Sequence, residues 1–259
     1  MKKVKKLSIV ISCYNEKSTI NKVIDKIMAV DLGTTIKEIV IIDDFSHDGT
    51  RTILQNIAKK NESVQLIFQD HNQGKGAALK RGIQKTTGDV VVVQDADLEY
   101  NPQDYLVLLR PIERSEVDAV FGSRFISGAT CRNINRRSLI ANKFLTGLSN
   151  LFNDLKLTDM ETCYKMVRGD LMRTIAQDLR AQRFGFEPEL TARLAKSKVS
   201  VREVGISYNG RTKEDGKKIN FKDGMRAIWE IVYFNTTIKP SSRRIIITND
   251  TVKANNDKQ

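Results

Sequence analysis

The feature that most constrains this chain is a set of four short, almost wholly apolar runs in its first half, at residues 7–12, 38–42, 64–68 and 90–94. They are rich in valine and isoleucine and do not alternate between apolar and polar residues. A strand with one face in water alternates, whereas a strand buried on both faces reads as a continuous apolar run, as in a parallel sheet. Between the runs, apolar residues return at helical spacing. Ile20, Val23, Ile24, Ile27 and Met28 follow Ser18, a residue suited to capping, and Ile53, Leu54, Ile57 and Ala58 form a second set. A shorter helix is expected over 76–85. Strands alternating with helices predict right-handed βαβ units, and so an α/β domain with a Rossmann-like, mostly parallel sheet flanked by helices.

The second half is less regular. A strand is expected at 118–122, then a polar, Arg-rich stretch over 123–137. A helix over 138–153 would carry Ile140, Phe144, Leu148, Leu151 and Phe152 along one face. A helix over 187–195 and a strand over 199–206 follow. A last amphipathic helix places Phe221, Met225, Ile228, Trp229 and Val232 on one side. That stripe reads first as core, and otherwise as a surface for lipid or a partner helix. After Pro240 the composition turns polar, and residues 241–259 read as a disordered tail.

Composition narrows the class. The three cysteines are widely spaced without a CxxC, which argues against a disulfide scaffold or a cysteine zinc site and fits a reducing, cytoplasmic setting. No stretch approaches the roughly 18 apolar residues of a membrane span. The net charge of +12 is lopsided: residues 1–130 carry 18 Lys+Arg against 17 Asp+Glu, and residues 131–259 carry 25 against 14. The second half is therefore suited to an anionic partner: nucleic acid, a phosphorylated substrate or an acidic membrane surface.

In an open parallel sheet, ligands bind beyond the carboxyl ends of the strands. Those ends deliver Ser12-Cys13-Tyr14-Asn15-Glu16, Asp43-Asp44-Phe45-Ser46, Asn72-Gln73-Gly74-Lys75-Gly76 and Asp95-Ala96-Asp97-Leu98-Glu99. Asp95 and Asp97 can share a hard divalent cation, Mg²⁺ or Mn²⁺, with Glu99 assisting, and such an ion would neutralise a departing diphosphate. Asp43 or Asp44 can accept from a nucleobase N–H or a ribose hydroxyl. Gly74 and Gly76 allow close backbone approach, with Lys75 placed to meet a phosphate. The third glycine of a dinucleotide fingerprint is missing at Leu79, and no P-loop is present.

Taken in order, these motifs, together with Gly122-Ser123-Arg124-Phe125, Asp159-Met160-Glu161-Thr162-Cys163-Tyr164-Lys165 and Tyr208-Asn209-Gly210-Arg211-Thr212, resemble the family 2 glycosyltransferases of GT-A fold. The likeness is nearest to the dolichyl-phosphate mannosyltransferase-like, polyprenyl-phosphate glycosyltransferase group, and it covers about residues 6–236. It implies a single GT-A domain over 1–240, in which 1–125 serve the nucleotide-sugar and metal and 126–240 the acceptor. It implies that Ser12, Tyr14, Glu16, Asp43, Asp44, Lys75 and Ala96 line the donor. Asp95, Asp97 and Glu99 would hold the metal, and Arg124 and Arg211 would contact phosphate. Ser12 stands where relatives carry Pro, and Phe45 where they carry Gly.

The resemblance implies inverting transfer of a sugar from a GDP- or UDP-sugar to an acceptor, in a single displacement. A hydroxyl acceptor, as in cell-envelope polysaccharide synthesis, needs a general base, for which Asp159 is the candidate. A phosphate monoester is already anionic and needs cations instead. Arg132, Arg136, Arg137, Arg202, Arg211, Lys217 and Lys218 supply them, which favours a polyprenyl phosphate acceptor. Peripheral attachment to the cytoplasmic membrane face, or to a membrane partner subunit, fits such an acceptor. A nucleotidyltransferase would show a Gly-rich basic loop where Cys13-Tyr14-Asn15-Glu16 stand, and a nucleic-acid-binding protein would show basic–aromatic interleaving. Both are absent, so no nucleic acid partner is expected.

Overall fold

The computed structural model describes residues 3–211 and 221–239. Thr212, Lys217, Lys218, Pro240 and the tail after it lie outside the described residues, as does the side chain of Phe221. Four βα units open the chain: β1 (Lys6–Cys13), α1 (Ile20–Ala29), β2 (Ile36–Asp43), α2 (Thr50–Lys60), β3 (Val64–Phe68), α3 (Lys75–Ile83), β4 (Val90–Asp95) and α4 (Tyr105–Glu113), the last entered through a 3₁₀ turn at Pro102–Asp104. Then come β5 (Ala119–Ser123), β6 (Thr130–Arg132), α5 (Arg136–Phe152), β7 (Lys165–Arg168), α6 (Gly169–Asp178), α7 (Phe186–Lys196), β8 (Val201–Gly205), β9 (Ser207–Asn209) and α8 (Phe221–Thr237).

Seven strands form one sheet in the order β3-β2-β1-β4-β7-β5-β8, and β6 pairs with β9 beside it. Only β7 runs against its neighbours in the large sheet, bonded antiparallel to β4 and β5. Three of the four apolar runs are buried as expected, whereas in the edge strand β3 only Val64 is buried. Leu7, Ile9, Val10, Ile11, Ile39–Ile42 and Val90–Val93 are all sealed from solvent. Each such side chain contributes roughly 1.5–3 kcal/mol relative to exposure. The result is a single α/β domain with helices on both faces of a mostly parallel sheet.

Several local expectations need correction. Helix α1 starts after Thr19 rather than Ser18, and the Thr19 hydroxyl makes no cap bond; it lies 2.7 Å from Glu16 Oε2 and 2.9 Å from the Ala96 carbonyl. At Gly74 and Gly76 it is the protein's own 181–183 backbone that makes the close approach. A Cβ on Gly76 would stand 2.3 Å from the Ala181 carbonyl, and the Gly76 N–H donates to the Arg183 carbonyl. Arg202 lies toward the amino end of β8 and pairs with Glu116, away from the rim at the strands' carboxyl ends.

The α8 stripe, expected first as core, is core only in part, and so is the apolar face of α5: Leu148, Phe152 and Ile228 pack against the core, while the rest of the described stripe residues stand outside it. On α5 the buried face is Asn142, Leu145, Thr146 and Ser149, while Ile140, Phe144 and Leu151 are exposed. On α8, Met225 and Trp229 are more than half exposed, at 55% and 59%, and the core instead takes Ile231 and Phe234. The two helices pack on each other, so polar residues from α5 are sequestered between elements and most of each apolar stripe is left outside.

Candidate active site

The rim is built by strand register. Ser12 and Asp95 are Cα partners on β1 and β4, and Cys13 and Asp43 are partners on β1 and β2. Three parallel strands therefore stop together, and the polar residues that follow them share one rim. Beneath it lies an aromatic floor: Tyr105 and Tyr164 hydroxyls both donate to Gln94 Oε1 at 2.7 Å, which fixes the end of β4 immediately before Asp95. The Tyr100 hydroxyl accepts from the Cys163 N–H. Burial pushes all three phenols well above the usual tyrosine range, so they remain neutral.

Each aspartate of the Asp95-Ala96-Asp97 turn faces a cation of the protein. Lys75 Nζ lies 2.7 Å from Asp95 Oδ1 and 2.7 Å from Glu187 Oε1. Burial works to lower the Lys75 pKa, but the two carboxylates outweigh it and hold the ammonium charged. Arg211 Nη2 lies 3.1 Å from Asp97 Oδ2 and 3.1 Å from Glu16 Oε2. Asp97 is nevertheless raised to about 7, first by burial, then by Asp95 and Glu99 beside it, with Arg211 opposing. The Glu99 N–H donates to Asp97 Oδ1, and Glu99 Oε1 accepts the Arg211 N–H at 2.7 Å.

This donor set suits a hard divalent cation. It offers carboxylate oxygens in a crowded negative site, and among the described residues no group of three or more ligands closes around an ion. Mg²⁺ and Mn²⁺ are characteristically held by one or two carboxylates, with the remaining positions filled by water and substrate phosphates.

The β2 end is braced from within. Asp44, buried, accepts from Gln69 Nε2, the Gln73 N–H and the Gly74 N–H, so it ties the third rim loop to the second. Asp43, also buried, accepts from Arg51 Nε at 2.6 Å and from the Ser46 N–H. Tyr14 meets His47 edge to face, at 5.9 Å between ring centroids. In the second half, Arg124 forms a two-pronged pair with fully buried Asp159, Nε to Oδ2 at 2.7 Å and Nη2 to Oδ1 at 2.8 Å. Its guanidinium lies over the Tyr208 ring at 4.9 Å. Both Asp159 oxygens are thus engaged by Arg124.

The rim accordingly brings together Ser12, Tyr14, Glu16, Lys75, Asp95, Ala96, Asp97, Glu99 and Arg211, with Asp43 and Asp44 buried beneath it and bonded within the protein, and with the Arg124–Asp159 pair placed by β5 and the segment before β7. Residues that the motifs did not single out for this site complete it. Thr19 holds Ala96, Arg51 holds Asp43, and Glu187 in the first turn of α7 balances Lys75. Glu161 was noted only as part of a motif. It is raised to about 7 by burial and by Glu187 nearby, and its Oε1 has no hydrogen-bond partner among the described residues. For Glu187 the one local signal was an acidic first helical turn, which by itself indicates only a favourable helix dipole.

Comparison with known proteins agrees with this architecture. A dolichyl-phosphate beta-glucosyltransferase of Dictyostelium discoideum is 26% identical over 241 residues, covering 87% of this chain and 72% of the relative. One of Trichomonas vaginalis is 24% identical over 236 residues, with the same coverage of both chains. Glycosyltransferase AglD of Haloferax volcanii is 24% identical over 250 residues, 93% of this chain but 39% of that longer protein. Among solved structures, mannosyl-3-phosphoglycerate synthase from Rubrobacter xylanophilus superposes with a TM-score of 0.67 at 20% identity, covering 89% of this chain and 72% of that one. Glucosyl-3-phosphoglycerate synthase from Mycobacterium tuberculosis, in complex with Mn²⁺, UDP and phosphoglyceric acid, gives 0.66 at 20% identity, covering 92% and 80%. The model of glycosyl transferase family 2 matches residues 8–175, which span all four opening βα units, both aspartates of the β4 turn and the Arg124–Asp159 pair, and the chain belongs to that family.

Proposed function

We propose that this protein is an inverting glycosyltransferase that moves a sugar from a GDP- or UDP-sugar to the phosphate of a polyprenyl phosphate, with Mg²⁺ or Mn²⁺ held by Asp95 and Asp97. The observation that carries this reading is the pair of carboxylates at the end of β4, each balanced by a protein cation, on the rim where nucleotides bind in open α/β sheets. The named dolichyl-phosphate relatives support the acceptor class, and the Mn²⁺–UDP complex of a fold neighbour supports the metal.

When bound, the ion supplies charge neutralisation for the leaving nucleoside diphosphate. Tyr14, Glu16 and the Asp43–Asp44 turn position the nucleoside, with Ser12 beneath it. Lys75 keeps Asp95 oriented, and Arg211 can exchange its carboxylate partners for phosphate oxygens. Arg124, locked by Asp159, presents an oriented guanidinium to the acceptor phosphate. That acceptor is anionic already, so Asp159 acts here by positioning Arg124 rather than by taking a proton. The acceptor oxygen attacks the anomeric carbon from the face opposite the diphosphate, and the bond to that diphosphate breaks with its electron pair.

The same reading assigns the exposed α5–α8 face to an anionic membrane surface. Ile140, Phe144, Leu151, Met225, Trp229 and Val232 present apolar area, and exposed Arg136, Arg137, Lys143 and Arg226 on the same helices match acidic headgroups in charge. No described helix is long and apolar enough to cross a bilayer. Transfer from each of several GDP- and UDP-sugars should be assayed in phosphatidylglycerol vesicles carrying undecaprenyl or dolichyl phosphate, with Mn²⁺. Product from one donor class is expected. The double variant Phe144→Ser/Trp229→Ser should lose vesicle co-sedimentation and retain transfer to a detergent-dispersed, short-chain acceptor. Absence of transfer to any polyprenyl phosphate would refute the acceptor assignment.

A further inference from the structure

Phe45 is the most anomalous residue on the donor rim. Its φ is +65°, in the left-handed region that a bulky side chain rarely adopts. Burial does not offset that strain, because the ring is 43% exposed. A glycine would sit in this turn at no steric cost. The turn is instead held from outside. The Ser46 N–H donates to Asp43, Ser46 Oγ accepts the Asn15 N–H at 2.9 Å, the His47 N–H donates to Asn15 Oδ1 at 3.0 Å, and Asn72 Nδ2 donates to the Asp44 carbonyl. Asn15, a residue that takes the left-handed region readily, is at +53°, and the turns that end β1 and β2 are cross-bonded to each other.

The phenyl ring has a fixed backing. The Arg51 guanidinium lies 5.3 Å from the Phe45 centroid and 4.8 Å from that of Phe68, and it is anchored by Asp43 and the Gln69 carbonyl. Strained residues that surrounding structure over-determines concentrate where ligands are clamped. Resting on the donor reading above, we infer that Phe45 is the stacking platform for the donor's nucleobase, with the Arg51–Asp43 pair behind it holding the ring in place. A nucleobase fits this place because every base presents a π-face to an aromatic ring. The turn also directly follows β2, beside Tyr14 and the paired carboxylates Asp43 and Asp44.

The test is calorimetric titration of UMP, UDP, GMP and GDP into wild-type protein, Phe45→Gly and Phe45→Trp. Pyrophosphate with Mn²⁺ serves as a control without a base. Base–aromatic stacking predicts that Phe45→Gly weakens the preferred nucleotide about tenfold or more, within a range of roughly 5- to 150-fold. Pyrophosphate binding should not change, Phe45→Trp should retain nucleotide affinity, and the melting temperature of Phe45→Gly should equal or exceed wild type because glycine relieves the φ strain. Equal nucleotide affinity in Phe45→Gly and wild type overturns this inference alone. Wild-type protein that binds none of the four nucleotides overturns the donor reading and this inference with it.

Discussion

Lys75 offers the sharpest energetic test of the site, because a single ammonium answers two carboxylates from distant parts of the chain. It lies 2.7 Å from both Asp95 and Glu187, and the three side chains are only 19%, 24% and 7% exposed. Lys75→Met keeps the aliphatic volume and removes the charge. Breaking a buried ion pair from one side costs about 3–5 kcal/mol, because the abandoned charge stays buried. Partial exposure of Lys75 and Asp95 puts the expectation at the lower end, about 3 kcal/mol. For a chain of this size, each kcal/mol shifts the melting temperature by about 2–4 °C, so a fall of about 6–12 °C is expected by differential scanning calorimetry. Adding Glu187→Gln removes one of the two orphaned carboxylates and should restore about half the loss. Mn²⁺ should raise the melting temperature more in Lys75→Met than in wild type, since the ion then replaces the missing ammonium on Asp95. A melting temperature within about 1 °C of wild type, or no recovery on adding Glu187→Gln, would refute the reasoning.

Two further predictions concern the other carboxylates. With Asp97 raised to about 7, a proton competes with the metal, so the Mn²⁺-induced rise in melting temperature should be large at pH 8, small at pH 6 and lost in Asp97→Asn at either pH while the fold persists. An unchanged Mn²⁺ response in Asp97→Asn would contradict the metal assignment. Glu161 is raised from 4.5 to about 7, first by burial and then by Glu187. A raised folded-state pKa means its stabilising contribution is complete below about pH 4.5 and is lost as pH climbs through 7, an effect of about 3 kcal/mol. Urea midpoints at pH 5 and pH 8 should show that loss in wild type and a smaller one in Glu161→Gln, which has no proton to release; equal slopes would remove Glu161 from the account.

What could be read in advance followed from how each element is buried. The strands β1, β2 and β4 were legible because a strand covered on both faces has no polar side, the edge strand β3 because its run stays apolar although only Val64 in it is buried, and the rim because the parallel register brings the strand ends together. β7 was not, for a physical reason. It is four residues long and begins with Lys165, whose ammonium is fully buried and donates to the Met160 and Thr162 carbonyls. A lysine made apolar in effect by two backbone acceptors has no signature in a hydrophobic pattern. α4 was missed because Pro111 lies inside it, within an apolar stretch whose helical period it obscures.

The same distinction separates the parts of the site. Asp95 and Asp97 announce themselves because chemistry needs them close in sequence, at one strand end. Lys75 and Glu187 meet across 112 residues, through the approach of the 181–183 backbone to Gly76, and nothing local to either records the pairing. The exposed stripes of α5 and α8 show the converse limit. Helical spacing of Phe144 and Leu151, or of Met225 and Trp229, states that they share a face, but only packing decides whether that face meets the core. Here α5 turns Asn142, Thr146 and Ser149 inward, where the Thr146 hydroxyl donates to Asn142 and accepts the Met160 N–H. With that polar seam satisfied inside, Ile140, Phe144 and Leu151 of the same helix are left facing out. A seam that runs along two helices carrying exposed Arg136, Arg137, Lys143 and Arg226, on a half-chain with 25 basic against 14 acidic side chains, is the surface that the proposed polyprenyl phosphate acceptor would call for.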